Sequence, residues 1–194
     1  NWGNNASRFP KTRSGVELSL RRAFEEARRY ADERDAYTAA KAAGDDPDPP
    51  RRDLRLEALA GILSGDIDVH SHCYRAHEIL MLIRIAEDFG FKVATFQHVL
   101  EGYKVAREIG AHGGRGCSTF IDWWGFKFEA YDAIPYNPAL VYEAGVPMSI
   151  NSDSSDHIRR LYLEAAKAVR YGGVPEQDAL AMVTRVPAMQ LGLA

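Results

Sequence analysis

The sequence predicts an α/β protein made of parallel βα units. Three observations carry that prediction. From Gly65 onward, short alternating runs are each followed by a segment with apolar residues at three-and-four spacing. The joints between them are short, as strand–helix–strand packing requires. The composition, 46% hydrophobic and 26% charged over 194 residues, suits one ordinary globular domain with a sizeable core.

Taken in order, residues 14–43 place Val16, Leu20, Phe24, Ala27 and Tyr30 on one stripe, which predicts an amphipathic helix. Ser14 is its expected N-cap with Glu17 completing a capping box, and Gly44 its expected stop. "DDPDPP" (45–50) breaks the chain, and a second helix is expected over roughly 52–63. The first strand is expected in "DIDVHSHC" (66–73), followed by a helix over 75–90 that ends at Gly90. "FKVATFQH" (91–98) reads as the second strand and residues 100–113 as one helix. A weaker strand, "RGCSTFI", opens an aromatic loop at 122–137. A short helix, a strand in "GVPMSINSD" (145–153), a helix over 155–173 and two short helices complete the chain. Four such units make half of an eight-fold barrel or an open doubly wound sheet, and no glycine-rich GxGxxG turn follows any strand to favour the second.

Several function classes are disfavoured. The net charge is −3 and no Lys/Arg stripe alternates with aromatics, so no nucleic-acid partner is expected. Apolar runs such as "ILMLI" (79–83) are too short to span a bilayer, and no signal-peptide core stands at the start. Cys73 and Cys117 form neither a CxxC pair nor a disulfide framework, which leaves the compartment open.

In parallel βα architectures, functional side chains gather at the C-terminal ends of strands. Those ends carry His72, His98 and Asp153, and the third opens the loop with Asp122, Trp123, Trp124, Lys127 and Glu129. Two imidazoles and a carboxylate on different strands suit a divalent ion such as zinc, with the carboxylate also able to take a proton from activated water. Blander readings compete: a strand-end histidine is usually a satisfied polar residue, and "NSDSSD" alone looks like a helix cap. His70 shares the face of His72 and is expected to pack one layer deeper, while His77, His112 and His157 are expected to be solvated.

These segments resemble, in order, the metal-dependent amidohydrolase superfamily, in particular its imidazolonepropionase-related branch. "VHSHCYRAHEILMLIRIAEDFGF" is similar to that branch's strand-five segment, with His72, Arg75, Glu78 and Ile79 matching and His77 standing where an acid is usual. "FQHVLEGYKVAREIGAHG" resembles strand six with His98 at the metal position, and "DWWGFKFEAYDAIPYN" resembles the loop after strand seven. "GVPMSINSDSSD" resembles strand eight with its catalytic aspartate at Asp153. "ALAMVTRVPAMQLGL" resembles the tail of the barrel, with Val186 replacing a common asparagine.

The resemblance implies a (β/α)8 barrel of the TIM type, of which this chain carries only the C-terminal half, strands five to eight. Residues 1–64 would then be a helical lead-in after strand four, and 65–194 the four βα units. It further implies a site for one or two divalent ions, usually Zn2+, with His72, His98 and Asp153 as ligands. The implied reaction is hydrolysis of an amide or cyclic-amide C–N bond by metal-activated water, Asp153 shuttling the proton. Arg75, Tyr103, Lys104, Trp123, Trp124 and Lys127 are candidate contacts for a small-molecule or peptide-like amide substrate. The HxH pair of strand one and the carboxylated lysine of strand four cannot be placed. A half-barrel should expose two sheet edges and an apolar inner face, and so associate with another copy or with the absent N-terminal half. The alternative is a non-catalytic half-barrel that binds metal or a partner through those edges.

Overall fold

The computed structural model describes residues 8–123 and 125–193. The chain divides into two compact units, one of residues up to Asp68 together with Arg84–Phe91, the other of Val69–Ile83 and Lys92 onward.

The first unit is helical. Helix α1 (Arg13–Ala42) is capped by Thr12, whose hydroxyl accepts the Gly15 N–H at 3.0 Å. The expected cap at Ser14 is therefore displaced by two residues, and Glu17 pairs with Arg21 one turn on instead of closing a capping box. Gly44 ends the helix as expected. At φ 93° it lets Asp45 N–H reach back to Ala40 and its own N–H to Lys41, which satisfies the last carbonyls. Helix α2 (Leu54–Ser64) starts at Asp53, whose carboxylate accepts the Arg55 and Leu56 N–H groups. Phe24 of α1 packs its ring 4.8 Å from Phe91 and 5.5 Å from Phe89. Tyr30 donates to Glu57, whose carboxyl is held below its usual range mainly by Arg52.

The second unit contains a four-stranded, wholly parallel sheet in strict chain order. Its strands are β1 (Val69–His72), β2 (Val93–Gln97), β3 (Cys117–Thr119) and β4 (Met148–Ile150). Helix α3 (Ala76–Phe89) follows β1, α4 (Ala106–His112) follows β2, and α5 (Asn137–Glu143) precedes β4. Helices α6 (Leu161–Gly172), α7 (Glu176–Ala181) and α8 (Arg185–Gln190) come after it. Two carboxylates start α3: Glu78 accepts the Tyr74 and Arg75 N–H groups, and Glu101 accepts that of Ala76.

The helix expected over 100–113 is in fact a 3₁₀ turn, Gly102–Lys104, followed by α4. Asn137 explains the break. Its side-chain amide takes both halves of what would be an i→i−4 bond, accepting from Tyr103 N at 2.9 Å and donating to Val99 O at 2.8 Å. The helix expected over 155–173 is likewise split into a 3₁₀ turn, His157–Arg160, and α6, because the Ser154 hydroxyl accepts the Asp156 and His157 N–H groups.

The two sheet faces differ sharply. Phe96, Cys117 and Met148 lie in register on one face and are buried, and burial pushes the Cys117 thiol up, out of its reactive range. The other face carries His70 and His72 opposite Thr95 and Gln97, and Ser118 opposite Ser149. The apolar inner face expected of a half-barrel is thus a polar one. His112 also departs from expectation: it is buried, its Nε2 accepts the Val93 N–H at 2.9 Å, and its ring lies 5.7 Å from Phe96.

Candidate functional site

His72 ends β1, while His98 and Asp153 stand just beyond β2 and β4. Among the described residues, His98 (φ 64°) and Asp153 (φ 44°) are the non-glycine residues with positive φ. Such a backbone costs of order 1–3 kcal/mol per residue and persists only where its surroundings over-determine it. Around His98 they do. Ser118 Oγ accepts the His98 N–H at 3.3 Å, and the Ser118 carbonyl accepts the Val99 N–H at 2.9 Å. At Asp153, the preceding residue is pinned by the Trp123 indole N–H, which donates to Ser152 O at 2.9 Å.

The His72 and His98 rings meet edge-on with centroids 4.9 Å apart. His72 also leans on Tyr74 (4.6 Å) and His98 on Phe120 (5.2 Å). Tyr74, Leu100, Phe120 and Ala130 form a buried apolar cluster, against which Trp123 packs. That cluster gathers the loops after β1, β2 and β3 into one support. Burial, then the neighbouring His72, lowers the His98 pKa, against the opposing pull of Asp153. His98 Nδ1 is buried and makes no hydrogen bond. A neutral imidazole with an unpartnered, buried nitrogen beside a second imidazole fits a nitrogen-coordinated divalent ion.

Beneath the two rings runs a polar chain. Gln97 Nε2 lies 3.3 Å from His70 Nδ1, Ser118 Oγ donates to Gln97 Oε1 at 2.5 Å, and Asn151 Nδ2 donates to Ser118 Oγ at 2.7 Å. His70 is exposed at the end of this chain instead of packing inside the sheet. Asn151 Oδ1, like His98 Nδ1, is buried without a hydrogen bond.

Most of the expected substrate contacts have partners within the protein. Lys104 sits 2.5 Å from Asp132 and 3.3 Å from Glu101. Burial pulls its pKa down, but Asp132 and Glu101 outweigh that and hold it above the usual lysine value. The Tyr103 hydroxyl donates to Asp132 O. Arg75 lies over the Phe128 ring with its Nε 3.8 Å from the buried Glu101. Lys127 pairs with Glu129 at 3.1 Å and lies 4.3 Å from the Tyr74 ring centre. Its charge is among those acting on His98. Trp123 ties the loop after β3 to that after β4, and Trp124 lies outside the described residues.

A second cluster was not foreseen. Asp122, His157 and Glu164 are the described donors that come within 4.8 Å of one another as a set of three. Lys167 already stands among them, hydrogen-bonded to Asp122 and, at 2.6 Å, to the buried Glu164. Glu164 and Lys167 are three apart on α6, a spacing that places them on one helix face. Nothing local in the sequence links them to Asp122, 45 positions from Lys167.

No protein-family model matches the chain. It is 30% identical to the amidohydrolase tasK of Hapsidospora irregularis, over 98% of this chain and 21% of that protein. Its structure is similar to that of an amidohydrolase from Thermotoga maritima MSB8, with a TM-score of 0.84 and 28% identity over 98% of this chain and 48% of the other. The chain therefore spans about a fifth of one relative and about half of the other. Both relatives are named amidohydrolases.

Proposed function

We propose that the chain is the half of an amidohydrolase barrel that carries strands five to eight, related to the imidazolonepropionase branch, and that it hydrolyses an amide or cyclic-amide C–N bond. The observation that carries this reading is the backbone. The two described non-glycine residues held at positive φ are His98 and Asp153, two of the three that the family pattern singles out. Four parallel strands in chain order, without the reversal of a doubly wound sheet, support the half-barrel.

His72 and His98, with Asp153 as the third ligand that the family pattern implies, would hold a divalent ion, Zn2+ by preference for imidazole. The charge of Asp153 reaches His98, but the three sets of ligand atoms do not all lie within 4.8 Å of one another. Such an ion supplies Lewis acidity, polarising the amide carbonyl and easing deprotonation of water. The protein's own part is proton traffic and positioning. As water adds to the carbonyl carbon, Asp153 takes one of its protons, and it returns that proton to the nitrogen as the C–N bond breaks. Trp123, by fixing Ser152, holds Asp153 in place for both transfers. Lys127, the candidate cation whose charge reaches His98, would meet a polar group of a small or peptide-like amide substrate. Described helices include none long and apolar enough to cross a membrane, and no membrane span is part of this reading.

Because the chain spans 48% of the related solved structure, a second reading has a specific basis: a non-catalytic half that pairs with another copy or with a separate other half. Turnover separates the two. With zinc supplied, the parent chain should release amine from a panel of N-acyl and cyclic amides, and Asp153→Asn should lower that rate by about 10²–10⁴-fold while keeping the metal. Zinc uptake without turnover of any amide would favour the second reading.

A further inference from the structure

We propose that Ser118 is the positioning residue of the metal site, the group through which the sheet sets the direction of the His98 ring; this rests on the reading of His98 as a ligand. Ser118 touches no reacting atom, and its placement argues for a role through others. It lies on β3, in register with Ser149 and one strand away from His98, and is 2% exposed. Its hydroxyl is fully used, donating once to Gln97 and accepting twice, from Asn151 Nδ2 and the His98 backbone N–H. A hydroxyl has one proton and two lone pairs, so no fourth bond is available to it.

The consequence lies in what those bonds fix. The peptide N–H groups of His98 and Val99, on either side of the strained His98 α-carbon, both end on Ser118: the first on its hydroxyl, the second on its carbonyl. The Val99 bond is main-chain pairing that any residue at 118 would supply; the bond from the His98 N–H, at the residue held at φ 64°, is the one that the serine hydroxyl adds. The same hydroxyl orients Asn151, whose side chain faces the His98 ring and contributes to its electrostatics. Ser118 thus controls the backbone of His98 and, through Asn151, one neighbour of its ring. A ligand displaced by an ångström is a poor ligand, which makes such support part of the site.

Ser149 provides an internal control. It is also a buried serine on the same sheet face, directly opposite Ser118, but its hydroxyl bonds to Gln190 of α8 at 2.6 Å. Replacing Ser118 by alanine removes a buried hydroxyl with three bonds and replacing Ser149 one with a single bond to Gln190, so a larger loss of thermal stability in Ser118→Ala does not by itself separate a structural role from a positioning one. Zn2+ affinity of the full chain, measured by competition with a chromogenic chelator, does. Ser118→Ala should weaken Zn2+ binding at least tenfold and alter the visible spectrum of the Co2+-substituted protein, with Ser149→Ala matching the parent. Hydrogen exchange supplies a metal-free readout: the His98 amide, bonded to the Ser118 hydroxyl, should exchange faster in Ser118→Ala and unchanged in Ser149→Ala, whereas the Val99 amide keeps its bond to the main-chain carbonyl of residue 118 in both. Equal zinc affinity in both variants, or unaltered exchange at His98, would overturn the proposal. A parent chain that takes up no zinc would instead sink the reading of His98 as a ligand, and the amide exchange rates would still decide whether Ser118 positions that residue.

Discussion

Two groups of metal-ligating side chains in this molecule differ in what their donors already do. Asp122, His157 and Glu164 form the tighter set, within 4.8 Å, but Lys167 supplies their positive charge from inside the chain. His72 and His98 stand more openly at the strand ends, and His98 keeps a buried nitrogen with no hydrogen bond. Compactness marks a solved electrostatic problem, whereas an unpartnered buried donor on a strained backbone marks one left open. Burying a polar atom without a bond costs roughly 1–3 kcal/mol, so such an atom is informative about function.

Breaking the first cluster should cost the most stability. Lys167→Met strands the buried Glu164 carboxylate, and a loss of about 1–3 kcal/mol is expected in chemical denaturation. If Lys167 holds the cation's place, millimolar zinc should recover part of that loss in the variant and do nothing comparable at this cluster in the parent. Absence of any destabilisation would mean that the cluster is solvated and its compactness incidental.

The strain at His98 can be measured by a pair of substitutions. Glycine accepts φ 64° without the Cβ penalty, so His98→Gly should be more stable than His98→Ala by about 1 kcal/mol. Equal melting temperatures for the two variants would remove the backbone argument from the site.

The smallest effect concerns the aromatic loop. Asp132 is held below its ordinary carboxylate pKa, first by its hydrogen bond to Lys104. A lowered folded-state value means that the unfolded chain binds the proton more readily, so this contribution is full above the unfolded carboxylate range and fades as pH falls through the folded value. Tryptophan fluorescence should therefore report loosening of the loop only in the acid range, and Asp132→Asn should remove that pH dependence. A transition near neutral pH, unchanged by the substitution, would place its origin elsewhere.

The element order was readable from the sequence because each βα unit carries its own period and its own stop. Boundaries failed where distant side chains intervened. Asn137 splits the segment after His98 from 34 positions beyond Tyr103, and Ser154 shortens α6 by taking N–H groups that helical periodicity assigns to carbonyls. At the candidate site, strand ends alone single out His72, His98 and Asp153. They do not single out Ser118 and Asn151, since a serine in "CST" looks like any strand residue until the register sets it beside His98. His70 and His112 depart from the sequence expectation in opposite directions for one reason. Burial of a strand or helix residue depends on what covers that face, and periodicity reports the face without its cover.

The assignment of the metal to the strand ends is tested by zinc stoichiometry, from elemental analysis of the purified chain beside His72→Ala, His98→Ala and His157→Ala. Near-stoichiometric zinc is expected in the parent and in His157→Ala, with loss of the metal in both strand-end variants. Zinc that survives His72→Ala and His98→Ala but disappears with His157→Ala would contradict that assignment, and would move the site to the cluster that Lys167 now fills.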